Sequence, residues 1–175
     1  GLLQDADAHV RVQALLTLSE IAPSARTSTA VAEMMFAPEN ARDPWLPDAV
    51  AIAGAKQGAE FLRDALLRRV PANDSVFVSG IRRAVATIAR SHATRADAQA
   101  MVLAIATVPQ ANPTVALGLL DAIATSWPEE TPPTFTDAQR ANLRAAAAGA
   151  SAPHMEAFGK VAARWGITDI FSGAR

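Results

Sequence analysis

At 175 residues and 18.3 kDa the chain is the size of one domain, or of one segment in a repeat array. Half of it is hydrophobic, 5% aromatic and 19% charged with a formal net charge of −1, which supplies a core and excludes wholesale disorder and the basic excess of a dedicated nucleic-acid or anionic-membrane binder. There is no cysteine, so disulfides, thiolate zinc sites, CxxC redox chemistry and covalent c-type haem attachment within this chain fall away.

No apolar run approaches the roughly 20 residues of a membrane span, and no signal peptide is visible. Alanine makes up about a quarter of the chain, several times ordinary usage. It is the best helix former and lets helices approach closely. Fourteen arginines against two lysines, Lys56 and Lys160, read as the codon habit of a GC-rich genome rather than as recognition chemistry.

In chain order, apolar residues recur at helical spacing between capping and breaking residues. The first predicted helix covers 9–22, with Val10, Ala14, Leu18 and Ile21 inward and Pro23 as its stop. The second covers 25–37 and ends at Pro38. Asp43-Pro44 reads as an N-cap followed by proline at the first helical position, opening a third helix that closes at Gly54. Pro47 conflicts with that start and allows a later one. The fourth covers 58–70 before Pro71, and the fifth 74–91, with Phe77, Ile81, Val85 and Ile88 inward.

Thr94 with Asp97 forms an approximate capping box for a sixth helix, which ends before Pro109. Asn112-Pro113 opens the seventh, which runs to Trp127. A Pro-rich internal linker over 128–135 follows. Thr136 and Gln139 form a capping box for the eighth helix, and the ninth spans 153–165, with Gly166 as C-cap and Ile167 folding back. The whole is predicted to be one all-α domain over 1–175, a stack of about four to five antiparallel helix pairs in an α-α superhelix.

The first segment carries a resemblance. Leu2-Leu3, Asp5, Asp7, Val10-Arg11, Ala14 and Leu15 to Leu18 resemble a HEAT-type repeat, in which an Asp-bearing turn separates two helices and Val-Arg opens the second. Ser19 departs from the glycine usual there. The motif fades after about Val70. More narrowly, 5–21 with Asp43-Pro44-Trp45-Leu46 and Asp48-Ala49-Val50 is similar to the helical segment of large exported bacterial membrane-bound dehydrogenases of planctomycete and verrucomicrobial type. Those join a sugar-dehydrogenase-like propeller, a HEAT-like segment and a C-terminal c-type haem domain. That resemblance implies an accessory helical domain and a periplasmic location; the residues alone leave the compartment open.

Chemistry-bearing residues are sparse. His9, His92 and His154 lie far apart near predicted helix ends and read as exposed capping-region residues, not metal ligands. Asp5 and Asp7 lack the further oxygens of a calcium loop and read as turn and cap residues. Ser151-Ala-Pro-His154 has no nucleophile elbow around it, and no P-loop or GxGxxG occurs. The locally basic stretch Arg63, Arg68, Arg69, Arg82, Arg83, Arg90 and Arg95 is the feature that a HEAT-like DNA-binding protein or DNA glycosylase would use, with Trp45 and Asp48 as its aromatic and carboxylate. The near-neutral total and the lack of interleaved aromatics favour solvated helix faces instead.

Of the three tryptophans, Trp45 and Trp165 are expected to plug gaps between helices. Trp127, followed by prolines, is the expected exposed one. Leu2 and Leu3 read as the last turn of an incomplete helix, so the chain is expected to be part of a larger protein. Val12, Leu15, Leu16 and Ile21 then present more apolar surface than one neighbour covers. The expected function is a non-catalytic scaffold or protein-interaction module without cofactor or metal. Its interaction surface comprises Leu2, Leu3, Leu15, Leu16 and Trp127, and its partner is another protein or a neighbouring domain of the same polypeptide.

Overall fold

Two rows of helices, one laid on the other, account for nearly all the packing. The computed structural model describes residues 1–71 and 73–167, and among these every regular element is helical. A single 3-10 turn, Leu2–Gln4, precedes α1 (Ala8–Glu20), α2 (Ala25–Met35), α3 (Pro38–Ala41), α4 (Leu46–Gly54) and α5 (Ala59–Leu67). Then come α6 (Ser75–Thr94), α7 (Ala98–Ile105), a 3-10 turn at Val108–Gln110, α8 (Pro113–Ser126), α9 (Asp137–Ala148) and α10 (Ala152–Trp165).

One row is α1, α4, α6, α8 and α10, each packed on the next; the other is α2, α5, α7 and α9. The rows are joined by the successive pairs α2 with α4, α5 with α6, α7 with α8, and α9 with α10. Among the described residues the fold is therefore an all-α stack of four helix pairs with one additional helix, α1, at its N-terminal end. Such an arrangement follows from the sequence physics: short amphipathic helices joined by tight turns bury their apolar faces only against neighbours before and after them.

Local punctuation explains most boundaries. Ser24 caps α2 and Thr136 caps α9, both as full capping boxes with Thr27 and Gln139. Asn112 caps α8, whose first residue is Pro113. At the end of α10, Gly166 adopts φ +70°, and Ile167 N–H reaches the Ala162 carbonyl at 3.0 Å. That is the left-handed closure expected for this glycine.

Several boundaries differ from expectation; the fourth expected helix, for instance, ends at Leu67 rather than at 70. Pro38 does not merely stop α2; it occupies the first turn of the one-turn helix α3. The third expected helix starts at Leu46 rather than Pro44, because Pro47 deeper in a helix would clash with the carbonyl four residues back. Asp43 still serves that start, accepting the Trp45 and Leu46 N–H groups at 2.8 and 3.0 Å. Finally, Thr94 does not cap the sixth expected helix. It is the last residue of α6 and donates back to the Arg90 carbonyl, while Asp97 alone caps α7 by accepting from Ala100 N–H.

Close approach of neighbouring helices within the first row depends on small residues. A Cβ on Gly54 would lie 2.7 Å from Ile88 Cδ1, and one on Gly118 would lie 2.7 Å from Arg82 Cγ. Glycine at both positions lets α4 and α8 seat against α6.

Candidate interaction surfaces

The turn before α1 is organised by its own side chains. Asp5 accepts the Asp7 N–H, Asp7 caps α1 by accepting the His9 N–H at 2.8 Å, and Arg11 donates to the carbonyls of Asp5 and Ala6. The His9 N–H bond holds the Asp7 carboxyl below its ordinary value, with the nearby His9 ring and Arg11 charge adding to it. Asp5 and Asp7 are thus turn and cap residues, and Arg11 clamps the turn through backbone carbonyls.

Placement of the five expected surface residues is mixed. Leu2 is 66% exposed, and Leu3 and Leu16 are partly buried. Leu15 is fully buried and belongs to the core, which corrects its assignment to an open face. The expected inward stripe of α1 is corrected with it: Val10, Ala14 and Leu18 are only partly covered and Ile21 is largely exposed. Because α1 is apolar around most of its circumference, spacing could not choose its inner face. Packing against α4 chose Leu15.

Trp127 is likewise corrected. It is 2% exposed, its indole N–H donates to the Thr131 carbonyl at 2.8 Å, and its ring meets Trp165. Phe135 packs on the same Trp165 at 5.3 Å, and Arg164 pairs with Glu129 while donating to the Ala124 carbonyl. The Pro-rich connection 128–135 is consequently tied to the ends of α8 and α10. Trp45 shows the opposite reversal: expected to plug a gap, it is 66% exposed beside Pro44 at the start of α4.

Two of the three histidines also differ from expectation. His9 is exposed, but His92 and His154 are buried. His92 Nδ1 lies 3.0 Å from the Asp97 carboxylate, joining the end of α6 to the cap of α7. His154 Nε2 lies 3.1 Å from the Pro113 carbonyl, an acceptor, so this nitrogen carries a proton, and Nδ1 lies 3.1 Å from Ser151 Oγ. Both are ties between helices. Among the described residues no three His, Cys, Asp or Glu side chains converge as a metal site would require, and no helix is long and apolar enough to cross a membrane.

Three arginines of the basic stretch face carboxylates and a fourth faces an aromatic ring. Arg63 bonds Glu60 and Asp64, Arg82 lies 3.7 Å from Asp121, Arg83 lies 3.7 Å from Asp48, and Arg68 sits over the Phe36 ring. Aspartates from α4 and α8 thus flank the arginines of α6. Asp48 and Trp45, the carboxylate and aromatic considered for a base-binding cleft, are both exposed at the start of α4.

An open hollow of about 380 Å³ lies where the α3–α4 turn meets the start of α6, bordered by Arg42, Asp43, Pro44, Ser75, Val76, Ser79 and Arg83. Nothing in the sequence spacing pointed to it, since its two arginines stand on elements 41 positions apart. What the fold and these surfaces define is an all-α stack of helix pairs. No protein-family model matches the chain, and neither the curated proteins nor the solved structures yield a match.

Proposed function

We propose that this chain is a non-catalytic, HEAT-like scaffold whose open α1 side receives a helix of a neighbouring repeat or partner protein. One observation carries the reading: every helix of the α1 row except α1 has a partner from the second row within its own pair. The short turn Leu2–Gln4 packs on α1, and apolar surface remains uncovered at this end, with Leu2 and Ile21 exposed and Leu3, Val12 and Leu16 only partly covered. The far end differs. There α10 turns Glu156 and Lys160 outward, bonded to each other at 3.0 Å, while Arg164 pairs with Glu129. Arrays of helix pairs end stably on polar faces and stay adhesive where an apolar face is left open.

The HEAT-like assignment is supported by the Asp5, Asp7 and Arg11 arrangement, in which a capping carboxylate and a carbonyl-clamping guanidinium shape the turn before α1. The test is the behaviour of Leu16→Glu. The unmodified chain should self-associate or bind the apolar dye anilinonaphthalene sulfonate, and Leu16→Glu should suppress both without loss of helicity. A parent chain that is strictly monomeric and takes up no dye would defeat the reading.

A further inference from the structure

We propose that Ser151 is an activated nucleophile, a site of covalent acylation by activated esters, with His154 as its base. Ser151 is exposed immediately before α10, whereas His154 is buried in the first turn of that helix. The Ser151 hydroxyl oxygen lies 3.1 Å from His154 Nδ1, and His154 Nε2 lies 3.1 Å from the Pro113 carbonyl at the start of α8. A hydroxyl within hydrogen-bond reach of a base, with that base oriented by a third group, is the arrangement that activates a serine. The carbonyl can only accept, so it keeps a proton on Nε2. In the neutral ring this leaves the Nδ1 lone pair facing Ser151. Packing of α10 along α8 holds the three groups in place.

The start of α10 supplies the second part. A serine in this position ordinarily turns its hydroxyl onto an N–H of the helix it precedes. Ser24 does so before α2, accepting from Thr27 N–H at 3.2 Å. Ser151 makes no such capping bond, and its hydroxyl meets the His154 ring instead. The first-turn N–H groups of Ala152 and His154 have no acceptor within the helix, and Pro153 has no N–H to offer. An uncapped helix N-terminus beside the nucleophile stabilises the negative charge that develops on a carbonyl oxygen under attack.

In the reaction, Ser151 Oγ bonds to the ester carbonyl carbon and its proton passes to His154 Nδ1. The tetrahedral intermediate then collapses as the bond from carbon to the leaving oxygen breaks. His154 returns its proton to the departing alcohol or phenol, so a serine ester and one free alcohol or phenol result without any redox change. Ala150, Ala152 and Pro153 flank Ser151 in the chain and Pro113 lies across from it. None of these side chains carries a charge, which suits a small uncharged acyl group. This goes beyond the scaffold reading and uses the opposite end of the stack from α1.

The experiment treats the full chain with p-nitrophenyl acetate and follows nitrophenolate release, intact mass and the acetylated peptide. Ser151 should acquire an acetyl group about tenfold or more faster than Ser24, an exposed serine committed to capping. Ser151→Ala should abolish that modification, and His154→Gln should slow it by about 100-fold or more. Because His154 is buried, a second pair of variants makes the result independent of that substitution. The thiol of Ser151→Cys should react with iodoacetamide about tenfold or more faster than that of Ser24→Cys, since both precede a helix but only the first faces a histidine. The proposal is overturned if Ser151 is acetylated no faster than Ser24, if a folded His154→Gln reacts at the parent rate, or if the two thiols react alike. Nitrophenolate release continuing beyond one equivalent, and lost in Ser151→Ala, would uphold Ser151 while defeating the non-catalytic reading. Absence of dye binding at α1 would defeat that reading and leave Ser151 standing, so the two fail separately.

Discussion

Trp127 and Trp165 meet edge to face, with ring centroids 5.3 Å apart and planes at 71°. Each lies at the end of its helix, α8 or α10, and both are almost wholly buried. That geometry places the positive ring edge of one on the negative face of the other. It also gives the 128–135 connection something to close upon, through the Trp127 bond to Thr131 and the Phe135 contact with Trp165.

Trp165→Ala should therefore destabilise the chain by about 3–5 kcal/mol, read as a large fall in Tm by circular dichroism. Trp45→Ala, at an exposed position, should change stability by no more than about 0.5 kcal/mol. Equal effects of the two would contradict the assignment of one as packing and the other as surface.

Two glycines in helices should respond with opposite sign to the same change. Gly54→Ala would push a methyl group against Ile88 Cδ1 and Phe61 Cε1, at 2.7 and 2.9 Å. Overpacking costs about 1–3 kcal/mol, outweighing the gain of up to about 1 kcal/mol in helix propensity. Gly159 has nothing within 4 Å of an added Cβ, so Gly159→Ala should stabilise by up to about 1 kcal/mol. Urea unfolding midpoints of the two variants measure both.

Asp97 serves two helices at once: one oxygen caps α7 through Ala100 N–H and the other holds the buried His92 ring. Removing it in Asp97→Ala should cost about 2–4 kcal/mol, the sum of a lost cap and a buried ring nitrogen left without its partner. His9→Ala, on an exposed ring near Asp7, should be nearly neutral in the same denaturation assay.

The pH response of the first helix follows from Asp7. Its carboxyl is held lower in the folded chain, chiefly by the His9 N–H bond, than the ordinary 3.8. A depressed folded value means the ionised cap is favoured by folding. The contribution is fully present above the ordinary value and is lost as pH falls through the lowered one. Amide hydrogen exchange at His9 should accelerate, relative to the intrinsic rate, as the solution is acidified below that range. In Asp7→Asn, which retains a capping oxygen without a titrating charge, that acid-dependent step should disappear.

What the sequence by itself determined is local. Ser24, Asp97, Asn112, Thr136 and Gly166 stop or start helices through bonds to backbone groups within a few residues. Spacing, capping and alanine content therefore sufficed for an all-α chain of short helices in pairs. Even the displaced start at Leu46 had its cause in view, because Pro47 acts on its own turn.

The tertiary structure alone decided which face each helix turned inward and which aromatic residue stayed outside. Helix α1 is apolar on most sides, so only α4 lying against it could select Leu15 over Val10 and Leu18. Trp127 and Trp45 both sit at helix ends beside prolines. One meets Trp165 from 38 positions away and is buried, whereas the other emerges at the turn between rows and remains in water. The hollow flanked by Arg42 and Arg83 arises in the same way, from two helix starts that adjoin only once the pairs are stacked. Burial and juxtaposition belong to contacts between distant segments, and those are set by how whole helices pack rather than by any residue's neighbours in the chain.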